Sequence, residues 1–258
     1  MQAIQITAPG TPDKMFIGDY PTPKPAPNEI LIKVAATALN RADTLQRAGK
    51  YPVPLGDSPL MGLEIAGTVE AVGSEVTQWQ KGERICGLVN GGGYAEYCVI
   101  HEDMALSIPK GMDFAEAAAI PEVFLTALQA LKWLGRLAAS EKVLIHAGAS
   151  GVGTAAIQLA KLLNASEIYA TASAKKHQIC YDLGADVVID YRKENFAEVI
   201  AEKTAGKGVD VIIDFVAASY FKQNLQSLGV EGRLVMLAFL GGVQVENVNL
   251  VPFLMKRI

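Results

Sequence analysis

A glycine-rich turn between two apolar runs is the stretch of this sequence best suited to chemistry. Residues 143–161 read VLIHAGASGVGTAAIQLAK, which predicts a strand, a tight turn and a helix. Backbone N–H groups of such a turn point outward at the positive end of the helix, where a dinucleotide pyrophosphate binds. The turn residues are Gly148, Ser150, Gly151, Val152 and Gly153. Because Ser150 replaces the middle glycine of G-x-G-x-x-G, the turn alone is a weak prediction.

The end of the next apolar run favours a phosphate ligand over a ribose hydroxyl. A site that prefers NAD ends its second strand in an acid, whereas this run ends TASAKK. Ser173 can donate a hydrogen bond to a 2′-phosphate, and Lys176 or its neighbour Lys175 can neutralise it, which predicts NADPH. Tyr191 can stack on the adenine or contact the same phosphate. The alternatives are a solvated helix start for the lysines and an ordinary loop position for the tyrosine.

The predicted elements place these residues along one edge of a sheet. Strands are predicted at 143–147, 167–172, 186–190, 209–216 and 233–239, with helices at 153–164, 174–183, 195–204 and 219–228 between them. This alternation predicts an α/β fold with a doubly wound parallel sheet, which binds ligands at the carboxyl ends of its strands. Gly241 and Gly242 follow the fifth strand, so they are either a cofactor contact or a simple turn.

The first half of the chain has a different character. Residues 1–110 read as short strands with glycine turns, interrupted by the proline-rich PTPKPAPNE, and they predict a small β-barrel. From Asp113 the pattern becomes helical, with Pro121 as an interruption. We therefore predict two domains, 1–118 for the substrate and 119–258 for the nucleotide.

The amino-acid composition and net charge exclude several classes of partner. The chain has 258 residues, 50% of them hydrophobic, and a net charge of −4 with no basic block, which argues against nucleic acid and anionic membrane partners. No leader and no membrane span are apparent, so a cytoplasmic protein is expected. Cys86, Cys98 and Cys180 form no even framework and no C-x-x-C pair, and we interpret them as buried small hydrophobes.

Four ordered segments resemble a known family. They are AATALNRADTLQRAGKYP at 35–52, MGLEIAGTVEAVG at 61–73, AAAIPEVFLTALQAL at 117–131 and HAGASGVGTAAIQLAK at 146–161. They are similar to the zinc-free quinone oxidoreductases of the medium-chain dehydrogenase/reductase superfamily, and most similar to the p53-inducible quinone oxidoreductase group. The resemblance implies a GroES-like barrel followed by a Rossmann-type sheet.

The resemblance also implies a site without metal. Zinc-dependent relatives carry a cysteine at the position of Asn40 and a histidine at the position of Leu63, and neither side chain here is a zinc ligand of that kind. Asn40 and Tyr51 are then the hydrogen-bond donors expected beside the nicotinamide. Asn40 is alternatively the N-cap of a helix beginning at Ala42. Thr126, expected at the start of a helix, either approaches the nicotinamide or serves as an N-cap or core residue.

The implied reaction is the NADPH-dependent reduction of a quinone or another small conjugated carbonyl. The alternatives are an enoyl or enone reductase, in which Tyr51 protonates the α-carbon, and a catalytically silent cofactor-binding module. The closing residues LVPFLMKRI read as a helix or the approach to a strand. The resemblance implies a further strand, helix and return segment and a homodimer, so we expect a truncated or alternatively spliced form with impaired dimerisation and lowered stability.

Overall fold

Two units make up the structure, which is a computed structural model that describes all 258 residues. Unit 1 is Met1–Glu122 and unit 2 is Val123–Ile258. The division falls inside helix α3, Pro121–Leu128. Pro121 opens this helix rather than interrupting one, since a proline at the first helical position loses no hydrogen bond.

Unit 1 is built mainly of antiparallel strands. They are β1 Gln2–Ile6, β2 Met15–Asp19, β3 Glu29–Thr37, β4 Glu64–Val72, β5 Arg84–Leu88, β6 Tyr97–His101 and β7 Ala105–Ser107. Five of them form one sheet in the order β6-β3-β4-β5-β7, and β1 forms a two-stranded sheet with β2. The sequence prediction contained no strand at β2. Its residues are mostly exposed, so the period-2 pattern of a half-buried strand is absent there.

The core of unit 1 comes from alternate positions along these strands. Ile30 and Ile32 of β3 pack with Ile65 and Val69 of β4 and with Ile85 of β5, and all five are buried. Burying one such side chain contributes about 1.5–3 kcal/mol. Two short helices complete the unit, α1 at Arg41–Arg47 and α2 at Phe114–Ala118.

Unit 2 contains the five-stranded parallel sheet predicted from the sequence. Its strands are β8 Lys142–Ile145, β9 Glu167–Ala172, β10 Val187–Asp190, β11 Val209–Asp214 and β12 Leu228–Met236. Its helices are α4 Gly151–Leu162, α5 His177–Leu183, α6 Phe196–Lys203, α7 Phe221–Ser227 and α8 Val251–Lys256. The strand order is β10-β9-β8-β11-β12, so the order reverses between β8 and β11. A crevice opens at such a reversal, beyond the carboxyl ends of the strands.

Both faces of this sheet are covered, which confirms the doubly wound architecture. Val143 and Ile145 of β8 pack into one apolar cluster with α4 and α5, whereas Leu144 packs into a second cluster with Phe196 and Ile200 of α6. Neighbouring residues of a strand point to opposite faces. A strand buried on both faces reads as a continuous apolar run, which is why β8 is evident in the sequence.

The ends of several elements differ from the prediction. Strand β12 begins at Leu228, five residues before the predicted start, and it ends at Met236. Helix α5 ends as predicted at Gly184, whose φ of 114° suits glycine. The closing residues form helix α8, and Lys256 on it donates to the carbonyl oxygens of Leu225, Gln226 and Leu228 at the end of α7.

The helices are short. The longest α-helix, α4, has 12 residues, and α3 continues directly into the six-residue π-helix Gln129–Leu134. No helix has both the length and the apolar character that crossing a membrane requires.

Candidate functional site

The predicted glycine turn lies between β8 and α4. Ser150 is the N-cap of α4, and its Oγ accepts a hydrogen bond from the Gly153 N–H at 3.1 Å. The backbone N–H groups of Gly151 and Val152, at the first two helical positions, have no acceptor within the chain. Free N–H groups at the positive end of a helix are what a phosphate requires.

Close packing inside the turn explains two of its glycines. A Cβ on Gly153 would lie 2.3 Å from the Ala147 carbonyl oxygen and 2.7 Å from that of Gly148. A Cβ on Gly148 would lie 2.8 Å from the Cβ of Ala170 on β9. Helix α4 therefore approaches the turn more closely than any side chain at position 153 would allow, which brings the free N–H groups to the edge of the sheet.

A buried chain of hydrogen bonds lies directly beneath the turn. Asp214 Oδ2 accepts from Asn224 Nδ2 at 2.9 Å, and Asn224 Oδ1 lies 2.7 Å from His146 Nε2. The other ring nitrogen of His146 lies 3.1 Å from Thr171 Oγ1. Thr171 Oγ1 in turn accepts the Ala147 N–H at 3.2 Å, and Ala147 has a φ of 47°. The chain thus fixes the first residue of the turn in a conformation that is uncommon for alanine.

The hydrogen bonds determine the state of His146. Because Asn224 Nδ2 is used by Asp214, its Oδ1 accepts and His146 must carry its proton on Nε2. Nδ1 is then the acceptor for the Thr171 hydroxyl. Complete burial lowers the pKa of His146, so the ring is neutral at physiological pH.

Four of the predicted cofactor residues surround one cavity in unit 2. The cavity has a volume of about 160 Å³ and is lined by Ala147, Ala149, Ser150, Ala172, Ser173, Lys176 and Tyr191. Ser173 precedes the 3-10 turn Ala174–Lys176, and its hydroxyl makes no capping hydrogen bond. Lys176 forms no salt bridge within the chain, and Lys175 does not line the cavity. A hydroxyl, an ammonium and an aromatic ring therefore converge without a carboxylate.

One residue beside this cavity was not found from the sequence. The guanidinium carbon of Arg192 lies 5.7 Å from the centre of the Tyr191 ring. This distance is within the range of a cation–π contact. No local pattern in the sequence predicts this contact.

Three other predicted positions, Thr126, Gly241 and Gly242, are not among the residues that line the cavity. Thr126 is the sixth residue of α3, so the expectation that it starts or caps a helix is wrong; the helix begins at Pro121. Thr126 does not line the cavity. A Cβ on Gly241 would lie 2.2 Å from Ser219 Oγ, and the Gly242 carbonyl accepts the Ala218 N–H at 3.1 Å. The space and the bonding of a tight turn account for both glycines.

In unit 1, Asn40 occupies the N-cap position of α1, which begins at Arg41 rather than at Ala42. Its backbone N–H donates to Asp43 Oδ2 at 2.8 Å. Its Oδ1 faces the Asp43 N–H in the arrangement of a capping box, and its Nδ2 donates to Glu64 Oε1 at 2.7 Å. Tyr51 lies beyond the end of α1, is 46% exposed and forms no hydrogen bond with Asn40. Asn40 thus occupies the capping position that the sequence offered as the alternative, and its amide has a second partner in Glu64.

Buried carboxylates around Asn40 were also not found from the sequence. Glu64 is 1% exposed, and its Oε2 accepts the Glu122 N–H at 2.9 Å. Burial raises the pKa of Glu64, against the opposing effect of these hydrogen bonds. Asp43 is buried as well, and the Tyr94 hydroxyl donates to it at 2.8 Å. Burial, with the charges of Glu64 and Asp43, also raises the pKa of Glu122. In the sequence, the only indication of a buried carboxylate was Glu64 as the single acid within the apolar run GLEIAGTV.

No group of three or more His, Cys, Asp or Glu side chains is arranged to hold a metal ion. Near Asn40 the carboxylates are engaged by hydrogen-bond donors, as described above. The absence of metal from the site remains a prediction.

Comparison with known proteins identifies the two parts of the chain. Residues 26–110 match the family profile described as the alcohol dehydrogenase GroES-like domain, and residues 151–258 match the one described as zinc-binding dehydrogenase. A quinone oxidoreductase of Pseudomonas aeruginosa is 37% identical over 248 residues, which cover 96% of this chain and 76% of that protein. A mycocerosic acid synthase-like polyketide synthase of Mycobacterium tuberculosis is 34% identical over 97% of this chain, which spans only 12% of the synthase.

Solved structures give the same result. A quinone oxidoreductase of Escherichia coli in complex with NADPH has a TM-score of 0.87 at 33% identity, covering 99% of this chain and 78% of that one. The CurK enoyl reductase has a TM-score of 0.88 at 35% identity, covering 94% and 75%. With a GroES-like unit, a doubly wound unit and relatives of this identity, the chain belongs to the quinone oxidoreductase-like family of the medium-chain dehydrogenase/reductase superfamily, a family of oxidoreductases.

Proposed function

We propose that this protein reduces quinones, or other small conjugated carbonyls, with NADPH and without a metal ion. The observation that carries the proposal is the cavity beside the glycine turn, where Ser173 and Lys176 converge and no carboxylate is present. A 2′-phosphate needs a donor and a positive charge, whereas a 2′-hydroxyl is usually bound by an acid. The Escherichia coli relative, whose structure was solved with NADPH, supports the same cofactor.

The turn residues fit the rest of the dinucleotide. The free N–H groups of Gly151 and Val152 would bind the pyrophosphate, and the space that a Cβ on Gly153 would fill allows its close approach. Tyr191 would stack on the adenine or contact the 2′-phosphate. Thr126 we propose as a contact to the nicotinamide. When bound, the cofactor supplies the hydride.

Asn40 and Tyr51 are the proposed catalytic residues of unit 1. One N–H of the Asn40 amide has no partner within the chain, and Tyr51 is half exposed. Hydride transfer to a quinone leaves charge on an oxygen of phenolate type, which a hydrogen-bond donor stabilises and solvent can protonate. Such a reaction needs no strong general acid.

Replacing Lys176 by alanine is expected to weaken NADPH binding at least about tenfold, because the 2′-phosphate loses a charge-assisted hydrogen bond. NADH, which lacks that phosphate, should be affected much less. Fluorescence titration of both cofactors measures the difference. Lys175→Ala is the matched control, since Lys175 precedes Lys176 directly but does not line the cavity. Equal losses for NADPH and NADH would contradict the role given to Lys176.

A second candidate function, enoyl reduction, is favoured by the likeness to the CurK enoyl reductase. The two reactions differ in their need for a proton donor at carbon, a role that Tyr51 would take in the enoyl case. We expect NADPH-dependent reduction of an ortho-quinone to survive Tyr51→Phe. A 2-enoyl thioester reduced by the wild type but not by Tyr51→Phe would favour the enoyl reductase instead. Cofactor binding without either turnover would indicate a silent binding module.

A further inference from the structure

We propose that Glu64 is the positioning residue for Asn40. Its buried carboxylate holds the Asn40 amide in one of two possible orientations, with Oδ1 toward the first turn of α1 and one N–H available to a bound ligand. The proposal rests on the catalytic role proposed above for Asn40.

The orientation of the Asn40 amide follows from the chemistry of its partner. An asparagine amide rotates between two arrangements that exchange Oδ1 and Nδ2. An ionised carboxylate only accepts hydrogen bonds. The 2.7 Å contact with Glu64 Oε1 is therefore made by Nδ2, and Oδ1 is directed away from it.

Glu64 is itself fixed by hydrogen bonds, so its carboxylate does not move when the Asn40 amide rotates. Its Oε2 accepts the Glu122 N–H, and its own carbonyl oxygen accepts from Thr37 Oγ1 at 2.7 Å. The residue belongs to β4, where it pairs with Leu88 of β5, and only 1% of it is exposed. With both carboxylate oxygens hydrogen-bonded and the side chain buried, Glu64 presents one fixed acceptor to Asn40.

The backbone of Asn40 is fixed independently of Glu64. Its N–H donates to Asp43, and Asp43 also accepts from the Gly62 N–H and the Tyr94 hydroxyl. Removing the Glu64 carboxylate would thus leave the backbone position of Asn40 unchanged and take away the acceptor that fixes Nδ2. This separation makes the role of Glu64 testable.

Replacing Glu64 by glutamine is expected to reverse the orientation of the Asn40 side-chain amide. The Glu122 N–H needs an acceptor, so it retains the Gln oxygen and directs the Gln NH₂ group at Asn40. The Gln NH₂ group can only donate, so Asn40 must turn Oδ1 toward it. Oδ1 then turns away from the Asp43 N–H and the N–H groups of Asn40 take new directions, although size and packing hardly change.

The kinetic test is a double-mutant cycle of Glu64→Gln and Asn40→Ala, with an ortho-quinone and NADPH. We expect Glu64→Gln to lower kcat about tenfold or more, with the KM for NADPH nearly unchanged. In the Asn40→Ala background the same change should have no further effect, since Glu64 acts through Asn40. A structural role would instead lower kcat equally in both backgrounds, and that result would overturn the proposal.

Glu70→Gln is the matched control because Glu70 lies on the same strand, where it reaches solvent and pairs with Lys81 at 2.7 Å. It should leave kcat and the melting temperature unchanged. Glu64→Gln should melt within a few degrees of the wild type, and a kcat loss accompanied by unfolding would count against positioning.

A second measurement needs no activity and separates failure of this proposal from failure of the proposed function. The side-chain amide of Asn40 is assigned by NMR through the signals that disappear in Asn40→Asp. In the wild type, one of its two protons should show the downfield shift of a hydrogen bond to a carboxylate, and Glu64→Gln should abolish it. If that shift is absent from the wild type, the positioning role is wrong whether or not quinones are reduced.

Discussion

Replacing Gly153 by alanine is expected to destabilise unit 2 by about 1–3 kcal/mol and to weaken NADPH binding at least about tenfold. The added Cβ would lie 2.3 Å from the Ala147 carbonyl oxygen and 2.7 Å from that of Gly148. These oxygens belong to the backbone, so they cannot rotate away as a side chain could. Helix α4 or the turn must shift, and the free N–H groups of Gly151 and Val152 move with it. Chemical denaturation and fluorescence titration measure the two effects.

Gly151→Ala is the matched control for this prediction. It introduces the same methyl group two residues earlier in the same turn, where the nearest atom is the Val123 Cγ1 methyl at 3.1 Å. A side-chain methyl can yield, and alanine is the better helix former at a helical position. We expect little change in stability. If both variants lose the same stability, close packing at position 153 is not the cause.

Replacing Asn224 by leucine is expected to cost about 3 kcal/mol or more of the free energy of unfolding. Asn224 joins Asp214 to His146, and all three side chains are fully buried. Leucine has a similar size but can neither donate to the carboxylate nor accept from the ring. Both buried groups would lose a partner, and water cannot replace it. Urea denaturation measures the loss.

Gln226→Leu provides the comparison, since Gln226 lies on the same helix two residues later and is exposed. It makes the same amide-to-leucine change without removing a buried partner, and should change stability by less than about 0.5 kcal/mol. Equal losses in the two variants would show that the buried chain of hydrogen bonds contributes nothing measurable.

The same hydrogen-bond chain predicts how stability depends on pH. Burial lowers the pKa of His146 in the folded state below its ordinary value of 6.5, so the unfolded chain binds the proton more readily. Unfolding therefore takes up a proton below about pH 6.5, and the stability of the wild type should fall as the pH is lowered through that region.

Apolar runs alone predicted most of the sheet in unit 2. Strands buried on both faces, such as β8 and β11, are short continuous apolar segments, and the helices between them separate these segments clearly. Strand β2 could not be predicted because its side chains are largely exposed, and what defines it is pairing with β1. The early start of β12 was missed because Gly229 and Gly232 interrupt its pattern.

The candidate site was predictable where its residues are close together in the sequence. The glycine turn and the residues at the ends of β9 and β10 follow from local patterns. The links from Asn40 to Glu64 and from His146 to Asn224 join residues 24 and 78 positions apart, and no local pattern records them. Such pairs of buried polar residues are brought together only by the tertiary fold, so a single sequence does not show which residues are partners.

The burial of the three cysteines acquires a meaning once quinones are considered as substrates. Quinones are electrophiles that alkylate thiolates, and a thiol must ionise before it attacks. Cys86, Cys98 and Cys180 are all buried, and burial raises the pKa of each, that of Cys98 to about 12. The chain therefore offers the proposed quinone substrate no exposed thiolate at neutral pH, so its reduction need not be accompanied by arylation of the protein.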